Sequence, residues 1–257
     1  MEIHPTAVIS PKAEIDQNVK IGPFSIIGDK VRIEQGTEVK SHVVIQGWTQ
    51  IGEDNTIYPF VTIGTPPQDI GYRGEKTRVI IGRENIIREY TTIHRATTKE
   101  EWTTSIGNGN YLMAYSHVAH DCRLGNHIIM NNAATLAGHV TVEDYSTVGA
   151  LSAVHQFVRI GAHAFIGGRT GIPLDIPPYM LASGQRARLF GVNQKGLKRQ
   201  GFSQETIDGL KKAFQILWRK NTRFSEGIEL IYRELEMFPE LEYLLNFIST
   251  SSRGITR

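Results

Sequence analysis

The stretch IGPFSIIGDKVRIEQGTEV, residues 21–39, places isoleucine or valine at every sixth position. The same spacing of aliphatic residues covers residues 3–63, resumes over 81–93 and, after a slip of one position, continues over 106–172. A period of six fits neither a 3.6-residue helix nor the two-residue alternation of strands joined by hairpins. It is typical of a parallel β-helix, in which each hexapeptide forms one flat face and its aliphatic residue points inward.

Three such faces close one triangular coil of 18 residues. We therefore expect a mainly β protein: a left-handed parallel β-helix over residues 1–189, followed by a C-terminal α-helical domain over residues 190–257. The left-handed sense is implied by the hexapeptide class and not by the spacing, since crossover connections are usually right-handed. Residues 64–78 and 94–105 break the repeat, and their turn-forming and polar residues predict loops that leave the β-helix.

The pattern beyond residue 190 changes to helical spacing. Residues 203–221 carry apolar side chains at intervals of three and four, and Ser203 is the predicted N-cap. Residues 224–238 and 239–252 continue in the same style. We expect their apolar stripes to form a small core and not a cofactor site.

Composition excludes several classes of protein. A formal net charge of +2 over 257 residues is too small to indicate nucleic acid as the main partner. The single cysteine, Cys122, excludes an internal disulfide and fits a reducing compartment. The start of the chain does not resemble a secretory signal, and no apolar run is long enough to span a membrane. These features predict a cytoplasmic protein.

A cluster of polar residues follows from the coil length. Residues 18 apart lie on adjacent coils, about 4.8 Å apart. This arithmetic predicts three neighbouring columns, which are His120 with Gly138 and Gln156, Asp121 with His139 and Phe157, and Ala119 with Ala137 and His155. His117 lies in the same stretch, AYSHVAHDC (114–122).

The chemistry of this patch allows two readings. Histidine beside a carboxylate is the usual general base near neutral pH, and a glycine N–H can stabilise an oxyanion. Several histidines together can instead bind zinc. The residues alone leave both possibilities open. Cys122 is expected to pack and not to react.

Five ordered motifs resemble one family over essentially the whole chain. They are HVAHDC (117–122), LAGH (136–139), AVHQF (153–157), IPPYM (176–180) and FGVNQKGLKRQGFS (190–203). Together they are similar to the UDP-N-acetylglucosamine O-acyltransferases of lipid A biosynthesis. The resemblance implies transfer of a 3-hydroxyacyl chain from acyl carrier protein to the sugar 3-hydroxyl. It also implies a homotrimer with active sites between neighbouring subunits, and neither a cofactor nor a metal.

The resemblance also implies residue roles. His120 would be the general base, Asp121 its support and Gly138 the oxyanion donor, while Gly168 would influence acyl-chain length. The expected substrate-binding residues are Gln68, Asp69, His117, His139, His155, Gln156, Asn193 and Arg199. A basic tract suited to an acidic carrier protein comprises Arg159, Arg169, Arg186, Arg188, Lys195 and Lys198.

Three positions depart from residues often found in the family, namely Gly71, Lys195 and Gln200. Relatives often have a lysine in place of Gly71, and Arg73 is the candidate replacement. One alternative is therefore the same chemistry on the 3-amino analogue of the sugar. Others are a zinc-dependent hexapeptide carbonic anhydrase, the related N-acyltransferase of the same pathway and a β-helical scaffold without catalysis.

Overall fold

The computed structural model describes residues 2–220 and 223–257. Within these residues, short strands recur along the chain as far as residue 192, and four helices follow. The strands are β1 (Glu2–Ile3), β2 (Val8–Ile9), β3 (Glu14–Ile15), β4 (Lys20–Ile21), β5 (Ile26–Ile27), β6 (Val31–Ile33), β7 (Glu38–Val39), β8 (Val44–Ile45), β9 (Trp48–Ile51), β10 (Thr56–Ile57), β11 (Thr62–Thr65), β12 (Arg78–Ile81), β13 (Ile86–Ile87), β14 (Thr92–His94), β15 (Thr103–Ile106), β16 (Tyr111–Leu112), β17 (His117–Val118), β18 (Arg123–Leu124), β19 (Ile129–Met130), β20 (Thr135–Leu136), β21 (Thr141–Val142), β22 (Thr147–Val148), β23 (Ala153–Val154), β24 (Arg159–Ile160), β25 (Phe165–Ile166), β26 (Gly171–Ile172), β27 (Met180–Ser183) and β28 (Arg188–Val192). The helices are α1 (Gln194–Arg199), α2 (Gln204–Arg219), α3 (Phe224–Glu234) and α4 (Pro239–Ser249).

Successive strands belong to three different parallel sheets, so three strands make one coil. Sheet A contains β1, β4 and every third strand to β25, then β27 and β28; sheet B runs from β2 to β26, and sheet C from β3 to β24. The β27–β28 pair is antiparallel and closes the end of sheet A. We name the corners of the resulting prism A–B, B–C and C–A after the sheets they join. The parallel β-helix predicted from the period of six is confirmed.

The aliphatic residue of each hexapeptide fills the centre of the prism. From Ile21 to Ile172, these residues are at most 4% exposed. Burying an aliphatic side chain of this size contributes about 1.5–3 kcal/mol, and the repeat supplies one on every face. Ile3 is 40% exposed because no coil covers the first one.

Two loops lengthen their coils, and the second one shifts the sequence register by one residue. Ordinary coils pair residues 18 apart, as in Thr135 with Ala153. Ile51 pairs instead with Ile81, and Ile87 with Leu112, which accounts for the slip seen in the sequence. The inserted segments are 66–77, between β11 and β12, and 95–102, between β14 and β15. Both leave the B–C corner; we call them loop 1 and loop 2.

The B–C corner of later coils turns through a left-handed backbone. Asp121, His139 and Phe157 occupy successive coils there with φ of 60°, 63° and 65°. This conformation is uncommon for residues other than glycine. It stacks the side chains along the prism, and the rings of His139 and Phe157 lie 4.4 Å apart. Loops 1 and 2 therefore emerge above the column that contains Asp121.

The C-terminal helices pack on one another and on β28. The N-cap prediction for Ser203 is confirmed, because its hydroxyl accepts a hydrogen bond from Thr206 N at 3.0 Å. Residue 221, the predicted end of that helix, lies outside the described residues. The boundary expected between residues 189 and 190 falls inside β28. No helix in the described ranges is long and apolar enough to cross a membrane.

Candidate active site

His120 lies just after β17, at the B–C corner, with 14% of its side chain exposed. Its Nδ1 is 2.8 Å from Asp121 Oδ2. An ionised carboxylate can only accept a hydrogen bond, so Nδ1 carries the hydrogen of the neutral ring and Nε2 keeps a free lone pair. His120 is thus held in the tautomer that can accept a proton at Nε2.

Asp121 is fixed in its orientation by loop 2. Its Oδ2 also accepts hydrogen bonds from Thr97 N at 3.0 Å and Thr97 Oγ1 at 2.7 Å. Burial raises the pKa of Asp121, but hydrogen bonds from His120 and Thr97 outweigh burial and hold that pKa below its ordinary value. Asp121 is therefore ionised near neutral pH and stabilises the protonated form of His120.

Gly138 lies directly beside the His120 ring on the next coil. A Cβ added there would be 2.8 Å from His120 Nε2, a distance that would force the ring to move. Across residues 2–220 and 223–257, no acceptor is recorded for Gly138 N–H. Because Gly138 has no side chain, the His120 ring can occupy this position, and the Gly138 N–H remains available as a hydrogen-bond donor.

His139 is enclosed between two carboxylates. Its Nδ1 is 3.0 Å from Glu100 Oε1 on loop 2, and its Nε2 is 3.8 Å from Asp121 Oδ2. Arg123 pairs with the other oxygen of Glu100 at 2.6 Å. Only 4% of the His139 side chain is exposed, so the ring is a buried part of the site that links the carboxylates of Glu100 and Asp121.

The same groups include a possible set of metal ligands. One ligand atom from each of His120, Asp121 and His139 lies within 4.8 Å of the others. Asp121 Oδ1 is buried and has no hydrogen-bond partner among the described atoms. The donor set of two imidazoles and one carboxylate is suited to zinc.

His117 and His94 lie on the sheet B side of this centre. His117 Nδ1 is 2.7 Å from Thr92 Oγ1, and the His94 ring meets the His117 ring edge-on at 5.0 Å. Burial, followed by the charges of His117 and His120, lowers the pKa of His94 to about 4. Sequence analysis missed His94 because loop 2 makes its coil 25 residues long, and counting in steps of 18 overlooks it.

The two loops meet beside His120 and Asp121. Asp69 Oδ1 accepts a hydrogen bond from Gly71 N at 2.7 Å, and Oδ2 lies 2.6 Å from Lys99 Nζ. Gln68 is exposed beside it. The Arg73 guanidinium donates instead to the carbonyl oxygens of its own loop. The cation beside Asp69 is therefore Lys99 of loop 2, whereas the Arg73 guanidinium is bound to its own loop.

His155 and Gln156 are exposed on the coil below Gly138. His155 lines an open cleft of about 530 Å³, together with Ala153 and Pro173. Its Nδ1 lies 2.8 Å from Arg253 Nη2 of the C-terminal segment. Sequence analysis did not single out Arg253, because 98 residues separate it from His155.

The remaining predicted residues lie at other corners. Asn193 is at the C–A corner, where its Oδ1 caps α1 through Gly196 N and its Nδ2 donates to His163 O. Arg199 ends α1 and is exposed. Gly168 is exposed at the A–B corner, between β25 and β26. The predicted site is thus brought together at B–C but remains split between corners of one subunit.

The predicted basic tract is mostly accessible. Arg159 is an exception, because it bonds Glu143 and lies 4.3 Å above the Phe247 ring. The exposed members are Arg169, Arg186, Arg188, Lys195 and Lys198.

Known proteins resemble this chain over its full length. The sequence model described as "Udp N-acetylglucosamine O-acyltransferase; Domain 2" matches residues 175–256. The acyl-[acyl-carrier-protein]–UDP-N-acetylglucosamine O-acyltransferase of Thermodesulfovibrio yellowstonii is 57% identical over 256 residues, covering 100% of this chain and 99% of the relative. The chain belongs to this acyltransferase family.

Solved structures support the assignment of this chain to the acyltransferase family. The UDP-N-acetylglucosamine acyltransferase of Francisella novicida is 41% identical, with a TM-score of 0.96 over 99% of this chain and 94% of that one. The Campylobacter jejuni enzyme is 36% identical, with a TM-score of 0.93 over 99% of both chains. The predicted left-handed sense of the β-helix is confirmed by this likeness.

Proposed function

We propose that this acyltransferase moves a 3-hydroxyacyl chain from acyl carrier protein to the 3-hydroxyl of UDP-N-acetylglucosamine, opening lipid A biosynthesis. The observation that supports it best is the arrangement of His120 between Asp121 and Gly138. It combines a base with a free Nε2, a carboxylate that stabilises the charged ring, and a glycine backbone packed against that ring.

The steps follow from these groups. His120 Nε2 takes the proton of the 3-hydroxyl, and the oxygen attacks the thioester carbonyl. The oxyanion that forms accepts a hydrogen bond from Gly138 N–H. When the tetrahedral intermediate collapses, the thiolate leaves and receives the proton from His120. The proton removed is the proton returned, so the reaction balances without a cofactor.

Asp121 and loop 2 support the base throughout. The ionised Asp121 stabilises His120 when it becomes positively charged, and Thr97 prevents that carboxylate from turning away. Because its oxygen accepts from His120 Nδ1, the same tautomer is restored after each turnover.

The proposal also includes the assembly of the protein, the surface for its carrier protein and its location in the cell. Asn193 and Arg199 lie at a different corner from His120, so a nucleotide sugar could contact both sets only if two subunits contribute, as in the proposed homotrimer. The exposed basic residues near the end of the β-helix provide a surface for an acidic carrier protein. The one cysteine, Cys122, is buried and unpaired, which fits the cytoplasm.

A zinc enzyme of the carbonic anhydrase type is the second candidate, and the grouping of His120, Asp121 and His139 favours it. In that case the unpartnered Asp121 Oδ1 would be the free carboxylate oxygen for the ion. Full-length membership of the acyltransferase family makes acyl transfer the better supported function.

The test is acyl transfer from 3-hydroxyacyl carrier protein to UDP-N-acetylglucosamine and, in parallel, to its 3-amino analogue. We expect transfer to one of them and a loss of roughly 100-fold or more in His120→Ala, the range for removing a general base. His4→Ala is the matched control, since His4 is exposed at the A–B corner of the first coil. Absence of transfer from wild type, together with stoichiometric zinc in the purified protein, would contradict the proposal.

A further inference from the structure

The C-terminal segment of the chain reaches the predicted substrate site. Arg253 Nη2 lies 2.8 Å from His155 Nδ1, and Arg253 Nε donates to Pro173 O at 2.9 Å. Two bonds from one guanidinium, to two residues that line the same cleft, fix the position of the Arg253 side chain.

The backbone around Arg253 is also held in place. Asp175 is 1% exposed, and its Oδ2 accepts a hydrogen bond from Ser251 Oγ at 2.7 Å. Its N–H donates to Gly254 O, and its carbonyl accepts from Thr256 N, both at 2.9 Å. Arg253 is therefore presented by an ordered segment on both sides.

The contact decides the tautomer of His155. Arginine carries only donors and stays protonated in proteins, so Nδ1 must accept and the hydrogen of the neutral ring must be on Nε2. Gln156 O also lies near Nδ1, at 3.3 Å, and would need a hydrogen there. The Arg253 contact is shorter, and arginine has no acceptor to offer, so it determines the outcome.

We infer that Arg253 is a positioning residue that fixes His155 as a hydrogen-bond donor through Nε2–H, the reverse of the tautomer that Asp121 imposes on His120. His155 then cannot act as a second base. Its free group is a single donor in the cleft, suited to an oxygen of the substrate such as a phosphate, hydroxyl or carbonyl. The role assigned to His155 rests on the proposed function, whereas the tautomer does not.

The direct test is nitrogen-15 NMR of the full chain with labelled histidine, with the His155 signals assigned by their loss in His155→Phe. Wild type is expected to show hydrogen on Nε2 and a free Nδ1. Arg253→Met is expected to show a mixture of tautomers, and Arg253→Lys to restore the Nε2–H form in part. The control Arg257→Met removes a cation from the same segment, one that lies over the Phe224 ring at 4.9 Å, and should leave His155 unchanged.

Kinetics test the consequence for catalysis. His155→Phe should lower kcat/KM by roughly tenfold and Arg253→Met by less, because part of its His155 keeps the Nε2–H form, and the double variant should lose no more than His155→Phe alone. Additive losses, hydrogen on Nδ1 in wild type, or an unchanged tautomer in Arg253→Met would each overturn the inference. If wild type transfers no acyl group, the proposed function fails, while the NMR result still decides the tautomer.

Discussion

His94 is a buried residue whose Nδ1 has no hydrogen-bond partner among the described atoms. Its neighbours are the His117 ring and, further away, His120, and both oppose a positive charge on it. A histidine in this position stays neutral in the folded protein. The neutral His94 ring gives His117 an uncharged neighbour. It lowers the stability of the folded protein only when the pH falls.

We predict that His94 makes the protein less stable in mild acid. The unfolded chain takes up a proton at His94 near its ordinary pKa of 6.5, whereas the folded protein does so only near pH 4. Stability is therefore complete above about pH 6.5 and falls as the pH is lowered toward 4. Measured by Tm across this interval, His94→Phe should lose less stability than wild type. Parallel Tm curves for the two proteins would contradict this assignment.

Gly138, Asp121 and His139 show how far single residues could be predicted. A fixed coil of 18 residues placed them beside His120 by counting alone, and the structure confirms that neighbourhood. Counting gives the coil and the corner of a residue but not its hydrogen bonds. The roles of Thr97 and Glu100 were missed because they lie on an inserted loop with no repeat to count.

At the scale of elements, the C–A corner contains a ladder of buried asparagines, Asn55, Asn85 and Asn110. Asn85 Oδ1 accepts from both Asn110 N and Asn110 Nδ2 at 2.9 Å, while Asn85 Nδ2 donates to Asn55 Oδ1 at 2.9 Å. The three residues tie together the coils from which loops 1 and 2 emerge. The ladder thus maintains the prism where the two insertions interrupt its repeat.

We predict that Asn85→Ala destabilises the protein by roughly 2–3 kcal/mol, because the Asn110 N–H and one Asn110 Nδ2 hydrogen lose their buried acceptor. Asn55 Oδ1 keeps the hydrogen bond from the Asn85 backbone N–H. Thermal unfolding at a fixed protein concentration would measure the effect. Asn132→Ala, at an exposed position, is the matched control and should change Tm little. A loss in Asn85→Ala no larger than in the control would show that water replaces the missing amide.

Loops 1 and 2 mark the limit of prediction at this scale. Their positions in the chain could be predicted, since the repeat stops and resumes around them. Their partners could not, because Lys99 with Asp69 and Glu100 with His139 are contacts between side chains whose backbone follows no period. The helices were predicted only in part. Ser203 marks the start of α2, but α1 is not predicted, since a helix of six residues is too short to show an apolar periodicity.

At the scale of the whole molecule, the predicted substrate site is divided between corners of the prism. His120 and its supporting residues are at B–C, whereas Asn193 is at C–A, on the other side of sheet C, and Arg199 ends the short helix that Asn193 caps. One ligand can contact both sets only if a neighbouring subunit brings its C–A corner to this B–C corner. A closed ring of identical subunits does so once at every interface.

We therefore predict that two inactive variants recover activity when their subunits are combined in mixed trimers. His120→Ala and Arg199→Ala should each impair transfer when alone. In trimers assembled from equal amounts of both, about a quarter of the interfaces would combine an intact His120 with an intact Arg199, so activity should rise toward a quarter of wild type. Mixing His120→Ala with Asp121→Ala is the control and should restore nothing, because those two side chains must come from one subunit. If the first mixture stayed inactive while differently tagged subunits were shown to share trimers, His120 and Arg199 would have to come from one subunit, and the division of the site between subunits would be wrong.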